Sequence, residues 1–329
     1  MKIVIIGGGW VGCHLAYKLK NEHNITIYEK NDNLFNETSL NNQNRLHYGY
    51  HYSRNHKTRE LCKNTFNDFI NDYGFLIEDV KNNIYCVPKK NSLIDYNTYL
   101  KIFQDFEYSV FNNLSEHMEG CISTQEKYIN FKKAYDFFNN ELSNLFVKKN
   151  ITHDEIINLK NSFDIVINAT NNHIKDFSFN ESFYELTISF LYEKISETNF
   201  GALTMVDGQL FSIYPYEDNI YTVTDVEHTP IKKFKNINDL NEFKNNNYLD
   251  LINKKRILIE NKICEYFPNF LKEFKYYSYF ISTKSKIESA SDERYPIITK
   301  QDNLINCFTG KIQGIYIIEK FINNEINNW

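Results

Sequence analysis

The 329-residue chain has no apolar run approaching the roughly 18 residues that a membrane span needs. Its 37 Lys and Arg fall short of its 42 Asp and Glu, and a net charge of -5 argues against a protein that coats nucleic acid or an anionic membrane. Its six cysteines form no C-x-x-C pair. Scattered at Cys13, Cys62, Cys86, Cys121, Cys264 and Cys307, they offer no zinc framework and predict reduced, mostly buried thiols in a cytoplasmic protein. No G-x-S-x-G, H-E-x-x-H or Walker lysine pattern occurs, so serine hydrolase, zincin and P-loop chemistry fall away. Only five prolines are present, and no Pro- or Ser-rich linker separates one part of the chain from another. Any two domains should therefore share a broad interface, with a ligand bound in the seam.

What is present points to a folded protein of about two subdomains. The chain weighs 39.2 kDa and carries 24 Tyr and 26 Phe, more burial than a disordered chain offers. The opening Met1–Ile6 is apolar but lacks a small-residue cleavage site and runs straight into glycines, which predicts a buried parallel strand over Lys2–Ile6, not a signal peptide. Gly7-Gly8-Gly9-Trp10-Val11-Gly12 then satisfies G-x-G-x-x-G. Gly7 permits the tight turn, Gly9 the approach of a pyrophosphate and Gly12 the packing of the next helix on the strand. The phosphates would rest on the free amides at the helix start, around Trp10 and Val11. Ile25–Tyr28 is the second strand. It ends in Glu29, where an acid meets a ribose hydroxyl pair, with Lys30 beside it. An acid there disfavours a 2′-phosphate, so NADP is the least suited dinucleotide.

Residues 41–58 read Asn-Asn-Gln-Asn-Arg-Leu-His-Tyr-Gly-Tyr-His-Tyr-Ser-Arg-Asn-His-Lys-Thr, too rich in Arg and His for simple core. The segment resembles the N-Q-x-R-x-H-x-G-Y-H-Y-P-R-S stretch of FAD-dependent oxidoreductases in the D-amino-acid oxidase (glycine oxidase-like) superfamily. Within it, the segment resembles a branch often encoded in bacterial polysaccharide and nucleotide-sugar gene clusters. Phe163–Asn171 resembles the strand-plus-ATG element that closes over FAD. Val206–Pro215 resembles the substrate-domain strands, and Asp292–Pro296 with Thr309–Ile312 resembles the carboxy-terminal flavin-contact region. Two positions depart from the pattern: Ser53 replaces a proline, and Asn171 replaces a glycine, which would require Asn to take a left-handed backbone.

The resemblance implies an α/β fold in which a Rossmann-like FAD-binding domain (1–75, 126–175 and 284–329) interleaves with an α+β substrate domain (76–125 and 176–283) built on an antiparallel sheet. It implies bound FAD, a small-molecule substrate oxidised at an amine- or hydroxyl-bearing carbon by hydride transfer to flavin N5, and reoxidation by oxygen or another acceptor. An amino sugar or sugar derivative fits the gene-cluster association, and a redox-neutral enzyme resembling UDP-galactopyranose mutase is the alternative. Cofactor contacts would come from Gly7, Gly9, Trp10, Val11, Gly12, Glu29, Lys30, Asn44, Arg45, Ala169 and Thr170, from the backbone of Val147 beside adenine, and from Gly310-Lys311-Ile312 facing the flavin pyrimidine ring.

Chemistry would fall to Arg45, as a bidentate anion ligand, and to His47 and His51, which can exchange protons near neutral pH or brace their loop. Tyr214 and Tyr216 alternate on a strand and could face the seam or pack the sheet. Arg294 is a second anion ligand or a salt-bridge partner of Asp292 or Glu293. Arg54 suits the surface as well as the cofactor, and His228 suits a turn anchor. Helices are expected over 57–72, 131–142, 237–266 and 312–323, with a second amphipathic stretch over 96–106 and the Asn/Lys-rich 237–266 run as a solvated face.

Overall fold

The first strand, β1 (Lys2–Ile6), has four of its five residues buried, which is why it reads as an unbroken apolar run. In the computed structural model, which describes residues 1–174, 182–246, 248–288 and 293–329, β1 sits near the middle of a six-stranded sheet. It pairs in parallel with β2 (Asn24–Glu29) on one side and with the strand Ile165–Asn168 on the other. The sheet continues outward through Phe146–Lys148 beyond β2, and through Leu304–Phe308 and Ile297–Gln301 beyond Ile165–Asn168. Helices cover both faces. Helix α1 (Trp10–Leu19), helix α2 (His56–Tyr73) and the helices Phe131–Glu141 and Ile315–Asn327 bury one side, and Ile156 and Leu159 of the helix His153–Lys160 pack on Val4, Ile6 and Val166 of the other.

The glycine turn explains the approach of α1 to β1. Gly7 has φ +104°, a conformation that L side chains rarely adopt. A methyl group on Gly12 would collide with the Gly7 carbonyl oxygen, so the first turn of α1 lies directly on the end of β1 only because Gly12 has no Cβ.

A second, nine-stranded sheet is antiparallel except where Ala202–Met205 runs parallel to Asn83–Pro88. Its longest strands, Ser182–Lys194 and Phe274–Ile287, pair along nearly their whole length. Helix Leu249–Tyr266 packs on it through Ile252, Ile259, Ile263 and Tyr266. Arg45–Leu46, Lys127–Ile129 and Ile77–Asp79 form a three-stranded sheet, with Lys127–Ile129 between the other two. The mixed architecture is the α/β class expected.

Four local expectations change. Residues 237–266 are two helices, Ile237–Lys244 and Leu249–Tyr266, because the Asn-rich stretch between them favours turns over helix. The helical run from Tyr96 stops at Ile102. The last helix starts as a single 3₁₀ turn at Ile312–Gly314 and then runs from Ile315 to Asn327. The cysteines are not all reduced: Cys86 and Cys121 face each other across adjacent antiparallel strands, with Cα atoms 4.2 Å apart, and are joined as a disulfide. Cys13, Cys62, Cys264 and Cys307 remain free. Sequence spacing misses the pair because 35 residues separate two positions that the sheet register brings together. Reduced thiols were the basis of the cytoplasmic expectation, and the pair removes that support. Among the described residues no helix is long and apolar enough to cross a membrane. The expected domain boundary at 175/176 and Asp292 lie outside the described residues.

Replacing Gly12 with Ala should therefore force α1 off β1. The expected cost is about 1–3 kcal/mol or more, seen as a lower thermal midpoint than wild type. An unchanged midpoint would show that the Gly7–Gly12 contact does not constrain the fold.

Candidate active site

Strand β2 delivers Glu29 to the glycine turn. Its Oε2 accepts the Gly8 amide at 2.7 Å, and its Oε1 accepts the Asn31 amide at 2.9 Å and the Asn31 side chain at 2.7 Å. Helix α1 follows Gly9 with no side-chain cap and no acid in its first turn, which leaves positive dipole and amide donors for an anion. The Trp10 amide donates to Ser39 Oγ at 3.0 Å. The Trp10 indole points away from this turn into a cage of Phe35, Phe69, Tyr73 and Phe138, with ring centroids 4.8–5.9 Å away, so only its backbone can serve a ligand here. Val11, next to it, is partly buried against the same core. Lys30 pairs with Glu37 at 3.1 Å. Val147 is exposed on the strand beside β2, in register with Tyr28. Ala169 and Thr170 close over the turn: a Cβ on Gly7 would lie 2.7 Å from the Ala169 carbonyl oxygen. Asn171 takes φ +54°, the left-handed backbone that its replacement of glycine requires.

The segment after β2 bridges the two large sheets. Asn44 adopts φ +50° and its carbonyl accepts the Ile129 amide at 2.8 Å, which starts the small sheet. Gln43 reaches the nine-stranded sheet at Thr222 and Ser212. Arg45, 7% exposed, donates from Nη1 to Thr204 Oγ1 at 2.8 Å and lies 4.1 Å over the Tyr214 ring. Among the described residues its buried Nε and Nη2 have no hydrogen-bond partner. Tyr214 is fully buried and held by Asn83 and the Lys127 carbonyl, so it forms the floor under Arg45. Tyr216 instead stacks between Phe131 and Phe280.

His47 and His51 are neighbours, with ring centroids 5.9 Å apart and Tyr52 beside both. Burial and the Lys311 ammonium hold His47 down to about 4, against the pull of Glu126. Burial, His47 and Lys311 push His51 well below the usual histidine range. Both rings are neutral at pH 7. Lys311, whose Nζ is 4.8 Å over the Tyr52 ring, is lowered to about 7 by burial and the Arg45 guanidinium. Lys284, on the long strand Phe274–Ile287, is lowered to about 8 by burial and the neighbouring Lys286 ammonium. Arg294 packs its side chain on Gly310, where a Cβ would lie 2.9 Å from Arg294 Cδ, and its amide donates to Thr58 Oγ1 at 2.9 Å. Ile312 opens the 3₁₀ turn after Lys311. Arg54 pairs with Asp207 at 2.5 Å, and His228 donates its amide to Asp225 in a turn.

The structure thus gathers Arg45, His47, His51, Tyr214, Arg294 and Lys311 at one seam and leaves Arg54 and Tyr216 to other contacts. It adds three residues that the sequence did not single out. Glu126, 1% exposed, accepts the Tyr48 amide at 2.7 Å, the Gly49 amide at 3.1 Å and the Tyr85 hydroxyl at 2.5 Å, and its Oε2 lies 3.4 Å from His47 Nδ1. Gln313, fully buried, donates to the carbonyls of His47 at 2.6 Å and Cys62 at 3.0 Å. Lys284 is the third. Among the described residues none of Arg45, Lys284 and Lys311 has a carboxylate within ion-pair distance, while Lys286 has Glu185. An anion-accepting cradle at the glycine turn and a group of cations without counter-ions at the seam suit a phosphate-bearing cofactor and an anionic ligand together.

A sequence model of the family described as FAD dependent oxidoreductase matches residues 2–85. The chain is 32% identical to the FAD-dependent monooxygenase FPY4 of Fusarium mangiferae over 97% of this chain and 89% of that protein. It is 24% identical to the FAD-dependent monooxygenase kojA of Aspergillus flavus over 96% of this chain and 83% of that protein. Its fold is similar to the crystal structure of glycine oxidase from Geobacillus kaustophilus, with TM-score 0.71 and 10% identity over 99% of this chain and 94% of the other. Glycine oxidase from Bacillus cereus gives TM-score 0.67 and 13% identity over 98% and 95%.

The lowered Lys311 gives a signed expectation for the ligand-free protein. Below pH 7 the lysine is charged both folded and unfolded, and folding bears the whole cost of burying it. Between about 7 and its unfolded value near 10.4 that cost fades as the folded lysine loses its proton. Lys311→Met should therefore stabilise the protein most below pH 7, with the advantage over wild type shrinking as pH rises toward 10. Thermal melts of both proteins across pH check this, and a difference that does not vary with pH contradicts it.

Proposed function

The chain belongs to the FAD-dependent oxidoreductases, and from that membership we propose that it oxidises a small anionic molecule at a carbon bearing an amine or a hydroxyl. The residues present fit the cofactor. The glycine turn has no room for a Cβ at Gly7 or Gly12, the start of α1 is uncapped, and the seam holds buried Arg45 and His51 nitrogens without protein partners. FAD, when bound, supplies the acceptor for the hydride. Gly7, Gly9, Gly12 and the amides of Trp10 and Val11 would hold its phosphates, Glu29 its ribose, and Ala169 and Thr170 would close over it, with Asn44, Lys30 and the Val147 backbone at its edges. Lys311 and the Gly310–Ile312 turn would set positive charge against the flavin ring. In this reading the six-stranded sheet carries the cofactor and the nine-stranded sheet the substrate.

Arg45 carries the proposal. A buried guanidinium with two nitrogens unbonded is costly unless an anion meets it, and Lys284 and Arg294 add to the same field. The substrate would then carry a carboxylate or phosphate, and a sugar derivative bearing one is the class that the gene-cluster resemblance suggests. His47 or His51, neutral at pH 7, would take the proton from the amine or hydroxyl. Oxygen or another acceptor would complete the cycle. The names of the two fungal relatives favour a second reading, monooxygenation, in which an external reductant is consumed and an atom of O₂ enters the product. No observation in the site favours the redox-neutral alternative.

The test is anaerobic bleaching of the flavin by amines and alcohols with and without an anionic group. Bleaching by anionic compounds without added reductant supports the proposal. Bleaching only by reduced nicotinamide, with ¹⁸O from O₂ in the product, supports the second reading. Arg45→Met should retain FAD and weaken substrate binding about 10- to 100-fold, the loss of a charge-assisted contact of roughly 1.5–3 kcal/mol. Equal loss of FAD and of turnover would move Arg45 to the cofactor shell.

A further inference from the structure

Glu126 follows the strand Met118–Thr124 and lies far in sequence from His47, yet its carboxylate is built around the segment that carries that histidine. Oε1 accepts the amides of Tyr48 and Gly49, the two residues after His47 and before Tyr50, while Oε2 accepts the Tyr85 hydroxyl and faces His47 Nδ1 at 3.4 Å. On the other side of the segment Gln313 Nε2 holds the His47 carbonyl at 2.6 Å. The backbone around His47 is thus held by two residues that lie 187 positions apart in sequence (313 less 126), Glu126 and Gln313, and the Glu126 carboxylate stands beside the ring. His47 Nδ1 is buried and makes no hydrogen bond in the ligand-free fold, and Glu126 Oε2 at 3.4 Å is the carboxylate oxygen beside it; among the described residues no hydrogen bond is made by Nε2.

We propose that Glu126 is a positioning residue that keeps the proton of neutral His47 on Nδ1 and so leaves Nε2 as the atom that accepts the substrate's proton. The proposal rests on the oxidation described above. In that step the substrate C–H bond breaks with its electron pair passing to the oxidised flavin, the N–H or O–H proton passes to His47 Nε2, and the C=N or C=O double bond forms. A carboxylate beside one ring nitrogen selects the tautomer that donates to it, which is how buried acids orient catalytic histidines in general. The charged and titratable groups facing the ring are Glu126, Lys311, Arg45 and His51, with Tyr52 packed against it. Only Glu126 among them attracts a proton to Nδ1. Burial, with the Lys311 and Arg45 charges, keeps the ring from becoming doubly protonated, so it is neutral at pH 7.

The test substitutes Glu126→Gln in the FAD-loaded protein and reads the His47 tautomer from ¹⁵N chemical shifts, alongside the rate of anaerobic flavin reduction. Gln keeps an oxygen for the Tyr48 and Gly49 amides but presents N–H to Nδ1. The expected result is Nδ1–H in wild type, Nε2–H in E126Q, and flavin reduction slowed about 100-fold or more at unchanged FAD content. Tyr85→Phe removes one hydrogen bond from the same carboxylate, keeps its charge, and should leave Nδ1–H in place. Persistence of Nδ1–H in E126Q overturns the proposal, as does a slower rate that only follows FAD loss. Should E126Q fail to fold, an Nε2–H reading in wild type or in Y85F overturns it on its own. The tautomer needs no substrate to be read, so a protein that shows it and is bleached by no amine or alcohol would sink the oxidation reading and leave the tautomer assignment standing.

Discussion

A buried guanidinium that reaches from one sheet to the other is the constraint on which the site depends. Arg45 sits on a two-residue strand of the small sheet, yet its Nη1 is bonded to Thr204 of the nine-stranded sheet and its plane lies on Tyr214. Among the described residues two of its nitrogens have no protein partner. A charge held this way is unfavourable in isolation, and the fold adds Lys284 and Lys311 to the same region, neither paired with a carboxylate among the described residues. Their lowered affinity for protons records the cost. An anion-binding role accounts for the arrangement, since bound phosphate, flavin and substrate charge would each offset part of it.

The supports around Arg45 are neutral or acidic and lie one layer out. Glu126 ties down the backbone after His47, and Gln313 ties His47 to the turn that carries Lys311. Asn44 hands the chain to the small sheet through Ile129. Ser39 links the start of α1, and the adjacent Thr38 donates to the Thr283 carbonyl beside Lys284. The dinucleotide cradle and the cationic seam are therefore joined by a few short bonds, so a shift of the long strand Phe274–Ile287 would be felt at the glycine turn.

The amino end was legible because its physics is local. A buried strand, a turn that forbids Cβ atoms, a helix and an acid 22 residues after Gly7 follow one another within thirty residues. Arg45, His47 and His51 were legible because three basic or imidazole side chains in so aromatic a stretch do not suit a core. Glu126 was not, since it is a single acid in Thr124-Gln125-Glu126-Lys127 whose partners lie 41 to 78 residues away in sequence. Lys284 hid for a related reason: on an edge strand of alternating polarity, Ser-Thr-Lys-Ser-Lys reads as solvated surface, and its half-buried place near Arg45 and Arg294 shows only in the fold. The same limit concealed the Cys86–Cys121 pair, which is a matter of strand register. Trp10 divides its two parts: its amide lies in the glycine motif, and its side chain belongs to the core, a placement the motif alone does not reveal.

The central claim is that the seam is an anion site beside the flavin, and its most direct test is a titration of the FAD-loaded protein with small carboxylates and with their uncharged amides, followed in the visible spectrum. The account predicts that carboxylates perturb the flavin bands saturably, more tightly at acid pH, where Lys311 is charged, than at alkaline pH, while the amides of the same shape do not. Amides that bind as well as the acids, or acids that leave the spectrum untouched at every pH, would contradict it.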